Sequence, residues 1–256
     1  TRLDPQTAKK AEAAIAQGVQ APVASTLIGA LGGAGTKEAQ GALVRLAERT
    51  SLSTDLRANA IATVGLSDHP EDETATALSK LANDKNPDVR NTAALAMGNA
   101  ALAQRRAGQV GEAEHAVDEL LEKLQAATTL DEQLLYLQAV GNTGDPRALP
   151  LLQAALGSTE IDARAAAVSA LRFIPGEAVD TLIASTLLRD GAAAVRRSAV
   201  FAAGFRSALV MLSTLRQAIL SDGDVGVRLE ILSVLGRSMA LPGVLDLVRE
   251  VAGKDA

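Results

Sequence analysis

Two histidines, a glycine-rich run and a recurring Asp/Arg spacing are the features of this 256-residue chain with any capacity for chemistry. His115 stands near Glu112, Glu114 and Asp118, and Glu114 and Asp118 are four apart on one helical face. One imidazole with solvated carboxylates gives weak adventitious metal binding at best, because a tight site needs several converging protein ligands. A solvated helix face is the better reading. His69 lies in a Pro-containing turn. The run from Gly29 through Gly32 and Gly33 to Gly35 follows a helical pattern and lacks the Gly-Lys-Ser/Thr ending of a phosphate loop. Helix C-capping and a turn account for it. Glu71-Asp72-Glu73 falls where a helix should begin and complements its dipole. There is no Gly-x-Ser-x-Gly elbow and, without cysteine, no thiol nucleophile. These residues predict no catalytic site, no metal and no cofactor, and hence a non-enzymatic protein.

The Asp/Arg spacing belongs to a phrase, roughly apolar-Arg-x-x-Ala-x-x-x-apolar-Gly. It reads Leu56-Arg57 to Gly65, Val89-Arg90 to Gly98, Val195-Arg196 to Gly204 and Val227-Arg228 to Gly236. Degenerate copies run from Gln133 to Gly141 and from Arg164 to Arg172, where Arg stands in the glycine's place, and Gly32 closes an earlier copy without the Arg. The closing positions are 32, 65, 98, 141, 172, 204 and 236, so successive intervals are 33, 33, 43, 31, 32 and 32 residues. Such regularity marks a repeat architecture, in which each unit buries its apolar face against its neighbours.

Counting from the Arg, positions −1, +3 and +7 are apolar in nearly every copy, and a spacing of four puts them on one helical face. Between phrases the pattern predicts amphipathic helices at Glu38–Glu48, Asp72–Ala82, Glu114–Ala126, Pro146–Leu156, Ala178–Leu188, Leu209–Leu220 and Leu241–Val251, with a first helix around Pro5–Gln17. Gly, Asp, Asn and Pro punctuate them, as in Asp84-Lys85-Asn86-Pro87-Asp88. No stretch alternates with period two, so essentially no strand is expected.

Composition agrees. Hydrophobic residues make up 48% and aromatics only 2%, which suits thin layers of closely packed Ala-, Leu- and Val-rich helices. The net charge of −5, with acids and bases interleaved in both halves, argues against a nucleic-acid partner bound by phosphate neutralisation. No apolar run is long enough to cross a bilayer. A start at Thr1 rather than Met fits a processed product or a segment of something longer.

Across residues 20–253 the phrase resembles the HEAT-repeat family. The resemblance implies an all-α, HEAT-type α-solenoid, a right-handed superhelix of about seven antiparallel helix pairs, forming a single domain over 1–256. It also implies that an Asp six residues before the Arg joins it in a ladder between repeats. The matching pairs are Asp84/Arg90, Asp190/Arg196 and Asp222/Arg228. Ser51, Ala127 and Ser158 occupy that place elsewhere, so the ladder should break there. Its role should be structural, since a semi-buried guanidinium needs acceptors and a turn Asp supplies them.

The 43-residue interval, closed by Gly141-Asn142-Thr143-Gly144-Asp145-Pro146 and Leu149-Pro150-Leu151-Leu152, is similar over about residues 89–173 to the helical domain of the large lipid transfer proteins, the vitellogenin-like group. That resemblance implies a lengthened helix pair around 98–141, in a helical module of a larger lipid-binding protein that is secreted or held in a cell envelope. Lipid would then be bound through flanking domains, because no β-rich portion is present here.

In the HEAT family the Arg-bearing helix lines the concave side. The face for a protein or peptide partner would then comprise Leu134, Leu137, Arg197, Val200, Phe201, Leu229, Glu230 and Leu232. Position +4 is apolar in all six phrases, through burial in a tight superhelix or as a groove for a partner, with burial the favoured reading. Phe173 and Phe205, both at +9, are placed to stack between adjacent repeats as core. The expected function is a non-enzymatic scaffold for a protein or peptide, with the lipid-transfer module as the alternative.

Overall fold

A computed structural model of the chain describes residues 4–240 and 242–254. Among these there are fifteen α-helices, two short 3-10 turns and no strand. The helices fall into two compact units, 1–128 and 129–256.

The first unit holds α1 (Pro5–Ala16), α2 (Ala21–Ala34), α3 (Lys37–Glu48), α4 (Thr54–Val64), α5 (Asp72–Leu81), α6 (Pro87–Arg106) and α7 (Val110–Ala126). Side-chain caps set the starts of α3, α4 and α6. Thr36 and Ser53 side chains accept the backbone N–H groups of Ala39 and Leu56, and Asn86 accepts those of Asp88 and Val89 just before Pro87. Gly35, at φ 60°, ends α2 in the left-handed conformation, the cap expected of the glycine-rich run. The phrase helices α2, α4 and α6 pack in succession, with α3 and α5 behind them. Ile28, Leu31, Leu43, Leu46, Ile61, Leu78 and Met97 are sealed between the layers.

Several of the phrase-closing glycines are crossing points between phrase helices, whether they lie inside a helix, as Gly32 does, or cap its end, as Gly65 does. A Cβ on Gly32 would lie 2.3 Å from Thr63 Cγ2, and one on Gly65 would lie 2.5 Å from Ala96 Cβ. In both cases position +8 of one phrase helix abuts position +6 of the next. At the long interval α6 runs straight through Gly98 to Arg106, and α7 is 17 residues long. The extra residues therefore lengthen both helices. A turn at 107–109, with Gly108 at φ 82°, joins them. Ala101, Ala113 and Val117 form the core of this hairpin's end, with Ala116 and Leu121 packed on it. The Gln104 carboxamide is fully buried there with neither polar atom hydrogen-bonded among the described residues, an arrangement that costs about 1–3 kcal/mol.

The second unit holds α8 (Leu130–Thr143), α9 (Leu149–Leu156), α10 (Ile161–Ala170), α11 (Glu177–Arg189), α12 (Ala193–Ala203), α13 (Ala208–Ser221), α14 (Val225–Gly236) and α15 (Val244–Lys254). The expected start of the last helix, Leu241, lies outside the described residues. A reciprocal capping box between Thr129 and Glu132 begins α8. Its end is built by the motif singled out above. Gly144 takes φ 61°, the Thr143 hydroxyl accepts the Asp145 N–H, and the buried Asp145 carboxylate accepts the Arg147 N–H ahead of α9. Gly141 lets α8 touch α10, since a Cβ there would sit 2.5 Å from Ala170 Cα.

Candidate partner-binding surface

The phrase helices α4, α6, α10, α12 and α14 present the phrase arginine near their N-termini, and that end carries the ladder. Arg57 donates to the Asp84 carboxylate at 2.6 Å, Arg164 to Asp190 at 2.8 Å and Arg196 to Asp222 at 2.7 Å. The pairing differs from the expected one in register. Within Asp84/Arg90, Asp190/Arg196 and Asp222/Arg228, the Arg Nη1 donates to the main-chain carbonyl of the Asp, not to its carboxylate. Each carboxylate instead receives the arginine of the preceding repeat, 26 or 27 residues earlier. Only this register ties neighbours together, because an Asp/Arg pair six residues apart closes on its own helix.

The expected breaks shift for the same reason. Ser51 and Ser158 do not interrupt the ladder at Arg57 and Arg164, which reach forward to the next Asp. Ser158 still contributes its carbonyl, 2.9 Å from Arg164 Nη1. The Arg164 hydrogen bond holds Asp190 below the ordinary carboxylate value, and the Arg196 hydrogen bond does so for Asp222. At Asp84 burial pushes upward, but hydrogen bonds from Arg57 and the Asn86 N–H, with the charge of Arg90 nearby, outweigh it.

On the phrase helices position +4 is core. Ile61, Ala94, Leu137, Val168 and Val200 are fully sealed, and Leu232, on which no further phrase helix packs among the described residues, is half-buried. Leu137 and Val200 therefore lie out of a partner's reach. Of the other expected contact residues, Leu134 and Glu230 are half-buried, whereas Arg197, Phe201 and Leu229 are exposed. The Arg197 guanidinium lies over Gly226, beside the Asp224 carboxylate.

The C-terminal ends of α10 and α12 form a different surface, assembled around Phe201. Phe173 and Phe205 meet edge-to-face with ring centroids 5.3 Å apart, so the stack between adjacent repeats forms as expected. It forms at the surface rather than in the core: Phe205 is 47% exposed and Phe201, 5.1 Å from it, is 43% exposed. Arg172, in the glycine's place of its phrase, lays its guanidinium 4.5 Å above the Phe173 ring and 6.0 Å from that of Phe201. It donates to the carbonyl of Ser169 and to Asn142 Oδ1. Burial pushes its pKa down. Arg206 is pinned by Asp180 at 2.6 Å and by the Ile174 carbonyl. The contributions of Arg206 and Asp180 come from different helix pairs, and no phrase position marks them. Arg172 was marked, as an Arg where glycine is the rule.

The first unit offers less. Gln40, fully buried, uses its carboxamide to tie α3 to the turn before α5 through Gly35, His69, Glu71 and Thr74. That network is fully satisfied. His115 faces an open groove of about 300 Å³ with Asp72, Thr76, Ser79 and Glu119. Among the described residues no group of three His, Asp or Glu could hold a metal ion, and no helix is long and apolar enough to cross a membrane.

The chain matches the sequence model of the Vitellogenin TPR domain over residues 5–228. Its fold is similar to that of a chain in the complex of CpcE and CpcF of phycocyanin lyase from Nostoc sp. PCC7120. The two are 19% identical, with 98% of this chain and 96% of that chain covered and a TM-score of 0.56. Human deoxyhypusine hydroxylase in complex with glycerol is 18% identical over 91% of this chain and 96% of that chain, with a TM-score of 0.40. A designed armadillo repeat protein is 15% identical over 91% and 98%, with a TM-score of 0.35. At these identities a likeness bears on the fold alone, and the last two scores carry no argument. No curated protein matches the sequence. The architecture is an all-helical repeat of the TPR, HEAT and armadillo kind, a fold class that is typically a non-catalytic scaffold.

Proposed function

Since the chain belongs to the Vitellogenin TPR domain family, we propose that it is the helical module of a larger lipid-binding protein and contributes as a non-catalytic scaffold. The observation that carries this reading is the family match over residues 5–228, which takes in the lengthened pair α6–α7 and the turn 141–146. In physical terms the chain suits holding rather than enclosing. Its core is consumed by contacts between thin helix layers, and the groove of about 610 Å³ at the start of α3 is open and rimmed by the charged Asp4, Lys37, Glu38 and Glu71 together with Pro5 and Ala34. Lipid would be carried by domains joined to this one. A secreted or envelope location goes with the same proposal. A parent reading frame without a secretion signal would count against it. A right-handed stack of about seven antiparallel helix pairs, forming a single domain over 1–256, is also part of the proposal. An experimental structure with left-handed stacking would contradict that part. The test of the function is organic extraction of the full-length native protein followed by mass spectrometry. Co-purifying lipid is expected, and its absence from a protein retaining every flanking domain would sink the proposal.

A second reading, a surface for a protein or peptide, is favoured by one observation. Phe201 and Phe205 are large, rigidly stacked and exposed. Aromatic and Arg side chains are the groups that most often anchor protein interfaces.

A further inference from the structure

We propose that the edge formed by Arg172, Phe201 and Phe205 docks an acidic peptide segment carrying a large apolar side chain. This proposal rests on the partner-binding reading above and names the partner's chemistry. Charge is the first argument. Arg57, Arg164, Arg196 and Arg206 each face a carboxylate. Arg172 is half-buried and, among the described residues, donates to two neutral acceptors, the Ser169 carbonyl and the Asn142 carboxamide. Two of its five N–H donors are used, which leaves room for a bidentate carboxylate. The Arg237 guanidinium lies over Gly204, between Phe201 and Phe205 in sequence. Arg206 is paired with Asp180, whereas among the described residues no carboxylate is bonded to Arg172 or Arg237, so the edge presents two cations without a paired acid on a chain of net charge −5.

Shape is the second argument. Three rings held edge-to-face give a fixed apolar seat beside the cation. A ring stacked under a guanidinium also holds that cation in place for an incoming anion. An anionic membrane or nucleic acid would feel the repulsion of the whole chain at longer range, whereas a short peptide meets only the local field.

The test is a positional-scanning hexapeptide array probed with the whole chain, followed by fluorescence anisotropy. The labelled probe is Glu-Asp-Leu-Phe-Glu-Asp, and the control is its Gln/Asn counterpart. The array should enrich Asp and Glu beside Leu, Phe or Trp, and the acidic probe should bind at least about tenfold tighter than its amide control, as one charge-assisted pair implies. Phe201→Ala removes an exposed ring and leaves the core intact, so it should weaken binding about tenfold at unchanged melting temperature. Leu66→Ala, on the first unit, should change nothing. The proposal is overturned by an array without acidic enrichment, by unchanged binding in Phe201→Ala, or by Phe201-dependent binding to phosphatidylserine vesicles in place of peptide. A blank array with lipid still retained by the full-length protein removes this inference and leaves the lipid reading standing; the converse pair of results does the reverse.

Discussion

Asp222 shows at the residue scale how the repeats are joined. Its side chain is almost fully buried, accepts two hydrogen bonds from Arg196 of the previous repeat and one from the N–H of Asp224. Asp222→Asn keeps the volume and removes the charge, leaving Arg196 without its counter-ion. Charge-assisted hydrogen bonds of this kind contribute about 1.5–3 kcal/mol, so urea unfolding at pH 7 should show a loss of that order. Asp246→Asn, whose partner Arg249 is 3.5 Å away on an exposed surface, should lie within about 0.5 kcal/mol of the parent. The pH dependence has a definite sign. Asp190 and Asp222 titrate below their ordinary value of 3.8, so the unfolded chain binds more protons than the folded one near that pH. Their stabilisation is complete above about pH 4 and fades as the pH falls through the folded-state values. The gap between parent and Asp222→Asn should therefore narrow when the urea series is repeated near pH 3. A gap that is constant or widens would contradict the pairing.

Elements were legible wherever period and punctuation agreed. The phrase helices and the amphipathic helices between them fall within a few residues of their sequence boundaries, because caps such as Ser53, Asn86, Thr129 and Asp224 fix the starts chemically. What the pattern hid was the purpose of the closing glycine. A residue recurring at a helix end reads as a cap. Only the neighbour's backbone shows that Gly65 and Gly141 are contact points, and that α6 continues beyond Gly98. The ladder's register was hidden for a related reason, since a spacing of six and a spacing of 26 both join the same residue types. The crossing-point role has a sharp consequence. Gly141→Ala places a methyl 2.5 Å from the backbone of Ala170, which has no rotamer to yield, and should destabilise by about 3 kcal/mol or more. Gly223→Ala meets open space and needs no left-handed backbone, so it should be neutral or slightly stabilising. Thermal denaturation of the two variants side by side decides it; equal melting temperatures would remove the close-approach account.

The whole molecule was legible as a class and only partly as a site. Spacing revealed the repeat, and the sealed +4 residues agree with burial in the helix layers. The surface that stands out, by contrast, depends on Arg172, Phe173, Phe201, Phe205, Arg206 and Asp180 meeting from separate helices. No single-helix period encodes such a meeting. Phe201 was placed on the partner face, but Phe173 and Phe205 beside it read as core. Stability in such an array is a sum over neighbouring interfaces, so a local surface can diverge without loss of the fold. The central claim is that this chain supports lipid carriage without enclosing lipid itself. Native mass spectrometry of residues 1–256 alone, beside the full-length protein from its natural source, tests that most directly. The account predicts lipid adducts on the full-length protein and none on 1–256. A lipid-free full-length protein, or lipid retained by 1–256 alone, would contradict it.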